Sequence, residues 1–308
     1  MNYKKIFKTR ASRSRMLKLL RFVPDKPMVK LQYRIKTGRR LHLKDPKRFT
    51  EKLQWYKLYY RDQSMIQCVD KYDVRSFVKE RGLERILNDC YGVFSQAEEI
   101  DFSFLPDRFV MKDTLGGGSN SVLVVRNKNT ITEDKLRARA RAWLNKPWRK
   151  KNSGREWPYY SGKPRRVILE KYLDGENGDL IDYKFFCFDG VVKYYYIRTG
   201  YSKNHNAGEI AFYTRESKYL PGVGMDYCNT AKQELRVPPN IDEMISMAEI
   251  LSKGFPHVRV DLYNIYGTIV FGELTFFNAS GYMLFSPDSF DLEMGECFHL
   301  PPKKTDKD

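Results

Sequence analysis

Arg259, Asp261 and Glu273 are the residues whose types and spacing could carry chemistry. Val258, Val260 and Leu262 alternate with Arg259, Asp261 and Tyr263, the period-two pattern of a strand with one apolar face. Asn264 and Gly267 supply a turn, and Ile269-Val-Phe271 begins a returning strand. In even register Glu273 falls on the face of Asp261. Side-by-side carboxylates repel each other unless a cation lies between them. An oxygen-only pair suits Mg²⁺, which takes one or two carboxylates together with substrate phosphates. A surface hairpin with solvated charges is the competing reading.

A second group of residues could hold phosphates. Lys112 ends an apolar run, and Gly116, Gly117, Gly118 and Ser119 follow in a turn whose backbone N–H groups no Cβ would obstruct. It is no Walker A loop, because no Gly-Lys-Ser/Thr follows and the next element reads as a strand. Glu170, Lys171, Tyr172 and Leu173 end another apolar strand, where backbone groups can read an adenine edge with Tyr172 or Leu173 on its face. Asp182, Lys184 and Phe186 share one strand face, with Arg198 on the partner strand. Charges within aromatic strands need partners, and either a ligand phosphate or internal ion pairs would serve.

The elements that must position these residues are mixed. Helices are expected from Thr50 through Tyr60, from Asp70 to Gly82, over Glu133–Leu144 as an exposed basic helix, and between Asn240 and Gly254. Strands are expected at Phe109–Lys112, Ser121–Val125 and Arg166–Glu170, with a hairpin of Ile181–Phe188 and Val191–Arg198 turned at Asp189-Gly190. The Arg259–Thr275 hairpin then closes the ordered part, and loops such as 199–240 carry no readable motif. Such mixing indicates an α+β protein rather than a doubly wound dinucleotide fold. We divide the chain into a basic amphipathic segment 1–48, a catalytic unit 49–302 and a loose tail 303–308; within the unit, about 109–173 would form a nucleotide lid and 174–300 a metal-binding subdomain.

Charge narrows the partners. The net +17 is uneven: residues 1–48 hold 17 Lys/Arg against Asp25 and Asp45 (+15), and residues 135–166 hold 12 against Glu156 (+11), leaving −9 elsewhere. In the first segment Lys/Arg interleave with Ile6, Phe7, Met16, Leu17, Leu19, Leu20, Phe22 and Val23, the composition of a basic surface helix on an anionic membrane. Five scattered cysteines suggest reduced thiols rather than a disulfide framework, and four histidines lack zinc-ligand spacing. No apolar run approaches the roughly 18–20 residues of a membrane span. A cytoplasmic protein is therefore expected, peripheral at the inner face of the plasma membrane.

In order along the chain stand Glu51-Lys-Leu-Gln-Trp55-x-Lys57-Leu, Asp70-Lys-Tyr-x-Val-Arg75, Leu105-Pro-x-x-Phe-Val-Met-Lys112 and Asp182-Tyr-Lys-Phe-x-Cys-Phe-Asp-Gly190. Arg259-Val-Asp-Leu-Tyr263, Phe271-Gly-Glu-Leu-Thr-Phe276 and Ser280-Gly281 follow. This series resembles the TupA-like ATP-grasp family of bacterial polysaccharide loci over roughly residues 45 to 300. The resemblance implies ATP held between two sheets, with Lys112 and Gly116–Ser119 over the phosphates and Glu170 to Leu173 at adenine. It implies Mg²⁺ on Asp261 and Glu273, and Arg259 stabilising the transferred phosphoryl group. Many ATP-grasp enzymes carry Asn two residues after the second metal Glu; here that position is Thr275, so water or Asn278 would complete the shell. Asp182 joins the ATP-binding candidates, and Lys184 and Arg198 join Arg259 as catalytic ones.

The expected function is ATP-dependent ligation of a carboxylate to an amine. The family's setting suggests a uronate-containing glycan, or its lipid-linked precursor, as one substrate and an amino acid or peptide as the other. A glycosyltransferase of the same pathway is the alternative, but its metal-binding Asp-x-Asp occurs only as Asp306-Lys-Asp308 in the tail. The His-Arg-Asp and Asp-Phe-Gly signatures of a protein kinase are absent. A nucleic-acid binder would explain the charge but not the Arg259, Asp261 and Glu273 group, so no nucleic acid is expected.

Overall fold

The computed structural model of the 308-residue chain describes residues 20–146, 153–160, 162–200 and 208–304. Two sheets dominate it. The smaller has strand order β1-β4-β2-β3, from β1 (Cys90–Phe94), β2 (Phe109–Asp113), β3 (Val122–Val125) and β4 (Val167–Lys171). The larger runs β10-β7-β6-β5-β11-β12, where β5 is Asp182–Phe188, β6 Val191–Thr199, β7 Glu209–Thr214, β10 Asn229–Thr230, β11 His257–Ile265 and β12 Thr268–Thr275. Both are antiparallel throughout except where β10 pairs with β7. Short β8 (Tyr219–Leu220) pairs with β7, and β9 (Gly224–Met225) with β13 (Phe285–Ser286).

Alternation along the strands decides what each face of the larger sheet covers. Val258, Val260 and Leu262 lie opposite Cys187, Phe185 and Tyr183 of β5, and α6 (Ile241–Ser252) closes that apolar face. Further along β5, Phe186 and Phe188 turn the other way. Phe49 of α2 (Phe49–Tyr59) meets both nearly edge-on, at centroid distances of 5.9 and 5.7 Å. The polar positions Arg259, Asp261 and Tyr263 occupy that second face, opposite Phe186, Lys184 and Asp182. The smaller sheet has a core of its own: Phe109, Met111, Val125 and Leu169 pack with Leu136, Ala140 and Trp143 of α5 (Glu133–Leu144).

Several expectations change. Helix α5 is not simply exposed, because Leu136, Ala140 and Trp143 recur at helical spacing and bury one face. Thr50 does not cap α2: the cap position is Arg48, and the Thr50 N–H and hydroxyl both bond Asp291. Glu51 instead accepts the Arg48 N–H in a capping box, and Asp62 accepts the Ser64 N–H at the start of α3 (Gln63–Val69). Order continues past Thr275 into α7 (Ser289–Cys297), which packs on α2. Of the expected tail, Lys304 bonds the Tyr59 carbonyl through its N–H at 3.0 Å, and residues 305–308 lie outside the described residues.

Strands β7 to β10 occupy the region expected to be loops. The smaller sheet also recruits β1 from ahead of residue 109. Of the basic segment 1–48, residues 1–19 and their apolar series lie outside the described residues. The described helix there is α1 (Asp25–Thr37), which buries Met28, Val29, Gln32 and Tyr33 against the body. Among the described residues no helix is long and apolar enough to cross a membrane.

Candidate active site

The hairpin of β11 and β12 pairs Asp261 with Glu273 directly, and a bulge follows at Gly272. A Cβ at Gly272 would lie 2.9 Å from the Asp261 carbonyl oxygen, so glycine lets the strands close beside the carboxylates. β11 lies between β5 and β12, so side chains of both neighbouring strands flank its polar positions: Lys184 stands opposite Asp261 on one side and Glu273 on the other. Asp261 is 2% exposed and Arg259 8%. Arg259 Nε and Nη2 donate to Asp261 Oδ1 and Oδ2 at 2.5 and 2.6 Å, a bidentate fork. Nη2 also donates to Glu273 Oε1 (3.2 Å) and to the Thr275 hydroxyl (3.0 Å), which itself donates to Glu273 at 2.8 Å.

Lys184 completes this network. Its Nζ lies 2.5 Å from Asp261 Oδ2 and 3.4 Å from Asp182, while Arg198 sits 3.8 Å from Asp182 across β5 and β6. Burial opposes charge on all of these groups, but pairing prevails at three. Burial would lower the Arg259 and Lys184 pKa values, yet Asp261 holds Arg259 well above its usual range, and Asp182 with Asp261 raises Lys184. Burial would raise Asp261, yet Arg259 and Lys184 pull it below the usual carboxylate range. At Asp182 burial prevails and the pKa is raised. The arrangement is a preformed, charged and nearly dry patch with Glu273 at its wet edge.

A cleft of about 430 Å³ lies along the smaller sheet and reaches β11 of the larger one at Tyr263, two residues from Asp261. Val110, Lys112, Val122, Val124 and Arg126 line it from β2, β3 and the residue after β3; Lys171, Tyr172, Leu173, Gly175, Gly178 and Leu180 line it from the β4–β5 connection, and Tyr263 closes it from β11. Apolar walls with a few convergent cations suit a flat heterocycle bearing phosphates. Lys112 reaches Glu170 Oε2 at 2.6 Å, with Arg75 3.8 Å from the other Glu170 oxygen.

The cleft therefore brings together Lys112, Lys171, Tyr172 and Leu173. Glu170 supports Lys112 from the side, and Asp182 belongs to the Lys184 network. Gly116, Gly117 and Gly118 are not among the lining residues of the cleft; Gly116 is buried, Gly117 and Gly118 are exposed, and Ser119 begins a short 3-10 turn. Asn278 is buried beside His257, and among the described residues no hydrogen bond joins it to Asp261 or Glu273. Asp306 and Asp308 lie outside the described residues.

Lys71 was missed by sequence reasoning. Its backbone N–H bonds the Thr114 carbonyl at 3.0 Å, and its Nζ reaches the Gly116 carbonyl at 2.5 Å. Burial lowers its pKa, and the largest opposing pull comes from Glu273. Lys71 therefore lies between the glycine turn of one sheet and the carboxylate edge of the other. Its sequence signal was its place in the stretch Asp70-Lys-Tyr-x-Val-Arg75, where the Asp70 carboxylate accepts the Tyr72 and Asp73 N–H groups in the turn before α4 (Val74–Glu80).

The residues present fit Mg²⁺ and a nucleoside triphosphate. Asp261 and Glu273 offer only oxygen donors, and each carboxylate has about four lone-pair sites, of which the hydrogen bonds above fill some. Among the described residues no three His, Cys, Asp or Glu side chains form a metal cage, so ligand and water oxygens must supply the rest of the shell.

No curated protein matches the sequence. Solved structures resemble it distantly. D-alanine–D-alanine ligase from Bacillus anthracis is 18% identical over 68% of this chain and 57% of that one, with a TM-score of 0.40. The L-amino acid ligase from Bacillus licheniformis is 13% identical over 93% and 64%, with a TM-score of 0.47. The D-alanine–D-alanine ligase from Helicobacter pylori is 14% identical over 80% and 67%, with a TM-score of 0.43. The chain thus spans 57% of the Bacillus anthracis enzyme's length, and no residue role is carried over from any of the three. The family pattern described as TupA-like ATPgrasp matches residues 51–299, a stretch holding both sheets and the whole Arg259 network. The chain belongs to the TupA-like ATP-grasp family, and its two facing sheets are the ATP-grasp fold.

Proposed function

We propose that this protein is an ATP- and Mg²⁺-dependent ligase that joins a carboxylate to an amine. The observation that carries the reading is the buried Arg259–Asp261–Lys184 network, with Glu273 beside it, on the same strand as Tyr263 of a nucleotide-sized cleft. In the proposed reaction a carboxylate oxygen attacks the terminal phosphorus of ATP and ADP leaves. The amine nitrogen then attacks the acyl carbon, loses a proton, and phosphate departs with the former carboxylate oxygen. Bound at Asp261 and Glu273, Mg²⁺ would neutralise phosphate charge.

The protein's own groups do the positioning. Val110, Val122, Val124, Tyr172 and Leu173 sandwich the base, while Lys112 and Lys71 approach the phosphates from two sides. Arg259, held rigid by its fork to Asp261, and Lys184 present fixed positive charge where negative charge develops. Preorganised charge of this kind needs no rearrangement during reaction. Arg198 and Asp182 buttress Lys184.

Within this reading the carboxylate is that of a uronic acid in a cell-surface polysaccharide or its lipid-linked precursor, and the amine belongs to an amino acid or peptide. The support is the family resemblance and the basic segment 1–48, which suits a polyanionic acceptor at the inner face of the plasma membrane. Segment 135–166 adds less, because Lys146, Lys163, Arg165 and Arg166 are already paired with Asp113, Asp70 and Asp73. A phosphate-release screen of uronic acids and uronate oligosaccharides against amino acids with Mg-ATP tests it. Release that needs both a uronate and an amine is expected; ATP turnover indifferent to either overturns it.

A further inference from the structure

On the outer side of α1 and α2, apart from the nucleotide cleft, lies a larger cavity of about 820 Å³. Its rim carries Lys26 and Lys30 of α1, Arg40 and Lys44 of the following loop, and Lys303 near the end of the described chain. A second hollow of about 370 Å³ continues it along Lys30, Arg34 and Arg40. The two lining sets share no residue with the nucleotide cleft.

The charges here are not neutralised. Among the described residues none of Lys26, Lys30, Arg40, Lys44 and Lys303 makes an ion pair. The acid at the rim, Asp45, is engaged 2.8 Å away by Lys47. Neighbouring cations of the same segment behave differently: Arg39 and Arg48 are both paired with Asp288 of the protein body. Segment 38–48 thus spends two cations on structure and leaves two others around a hollow. Five like charges around one concavity repel one another, and an anion seated among them relieves that repulsion.

The hollow is more than a charged surface. Trp55 and Tyr59 line it, with ring centroids 5.4 Å apart and planes inclined by 63°. Lys303 Nζ stands 4.7 Å over the Tyr59 ring. Inclined rings offer no parallel slot for a planar base; Trp55 is buried and backs the recess, while the half-buried Tyr59 can present ring surface to the C–H groups of a sugar. A bilayer surface is flat on this scale and does not enter such a recess. Cations around an aromatic corner match a saccharide that carries carboxylate or phosphate groups.

We propose that this groove binds a segment of an acidic saccharide chain, as a docking site separate from the reacting centre. Its service to catalysis rests on the ligase reading; the binding does not. Fixing the polymer at a second point raises the local concentration of its reacting unit and needs no new contact at Arg259.

The test is titration of the full-length protein with oligogalacturonate, its neutral methyl ester, a single-stranded oligonucleotide of equal charge, and anionic vesicles. Oligogalacturonate should bind best and the methyl ester should not bind measurably. Lys30→Glu with Arg40→Glu, both exposed positions, should weaken binding by about tenfold per lost cation. Tyr59→Ala should weaken oligogalacturonate while leaving inorganic polyphosphate unchanged. Equal binding by parent and double variant, equal binding of the methyl ester, or tighter binding of the oligonucleotide or vesicles overturns the proposal. ADP formation with a monomeric uronate separates the two ideas. It should be unchanged in the double variant, and its absence from the parent would remove the ligase reading while leaving the groove to stand or fall on the titrations.

Discussion

Asp261 and Glu273 face each other across β11 and β12 but live in different surroundings: the Asp261 side chain is 3% exposed and that of Glu273 51%. Asp261 is clamped between Arg259 and Lys184, whereas the hydrogen bonds of Glu273 among the described residues run to Arg259 and Thr275 through one oxygen. The pair should therefore respond unequally to the same chemical change. Asp261→Asn strips the anion from two buried cations, a class of change that costs about 3–5 kcal/mol. Glu273→Gln sits at the solvent edge and should leave the fold intact while abolishing Mg²⁺-dependent ADP formation. Thermal unfolding of both variants checks this, with a clear loss expected only for Asp261→Asn.

Lys71 should prove as important for nucleotide binding as Lys112. Its Nζ sits at the Gly116 carbonyl while drawn toward Glu273, so it is placed to meet phosphates arriving between the sheets. Lys71→Ala should weaken ATP binding by about tenfold or more, the worth of one charged hydrogen bond. Calorimetry with a non-hydrolysable analogue measures it; unchanged affinity would make Lys71 a structural strut.

The three glycines of the 116–118 turn should not be equivalent. A Cβ at Gly116 would fall 2.3 Å from Ser121 Cβ and 2.9 Å from Asp113, so Gly116→Ala must displace the turn. Gly118 has φ +73°, where a side chain costs about 1–2 kcal/mol. Gly117 meets neither obstacle. Stability and ATP affinity should fall for Gly116→Ala, fall modestly for Gly118→Ala, and hold for Gly117→Ala.

His257 gives the fold an acid limit. It is buried among Phe49, Phe188 and Phe298, and its Nδ1 lies 2.9 Å from the Cys187 carbonyl oxygen. Burial lowers its pKa from 6.5 to about 3. The unfolded chain therefore binds a proton that the folded chain refuses between those values, and stability falls as pH drops from about 6.5 toward 3. Above 6.5 both states are neutral and this group adds no slope. Urea midpoints across that range should fall less steeply in His257→Phe than in the parent.

What could be read from the sequence was what repeats. Alternation along 258–263 placed Arg259 and Asp261 on one face, and the turn at Asn264 and Gly267 fixed the partner strand that brings Glu273 opposite. Alternation does not tell an edge strand from a central one, so the dry network with Lys184 emerged only with the sheet order. Lys71 belongs to a turn and has no period to betray it. The apolar stripe Leu136, Ala140 and Trp143 was present but masked by the arginines between its members. Strands of two residues, as in β8 to β10, are too short to show alternation at all.

The central claim is that a carboxylate is activated by phosphoryl transfer from ATP in the cleft between the sheets. Its most direct test supplies a uronate with isotopically labelled carboxylate oxygens, an amine and Mg-ATP, and follows the label by mass spectrometry. The account predicts one labelled oxygen in each phosphate released with amide product, and none with Glu273→Gln. Phosphate released without label, or label that stays wholly with the uronate while ATP is consumed, would contradict it.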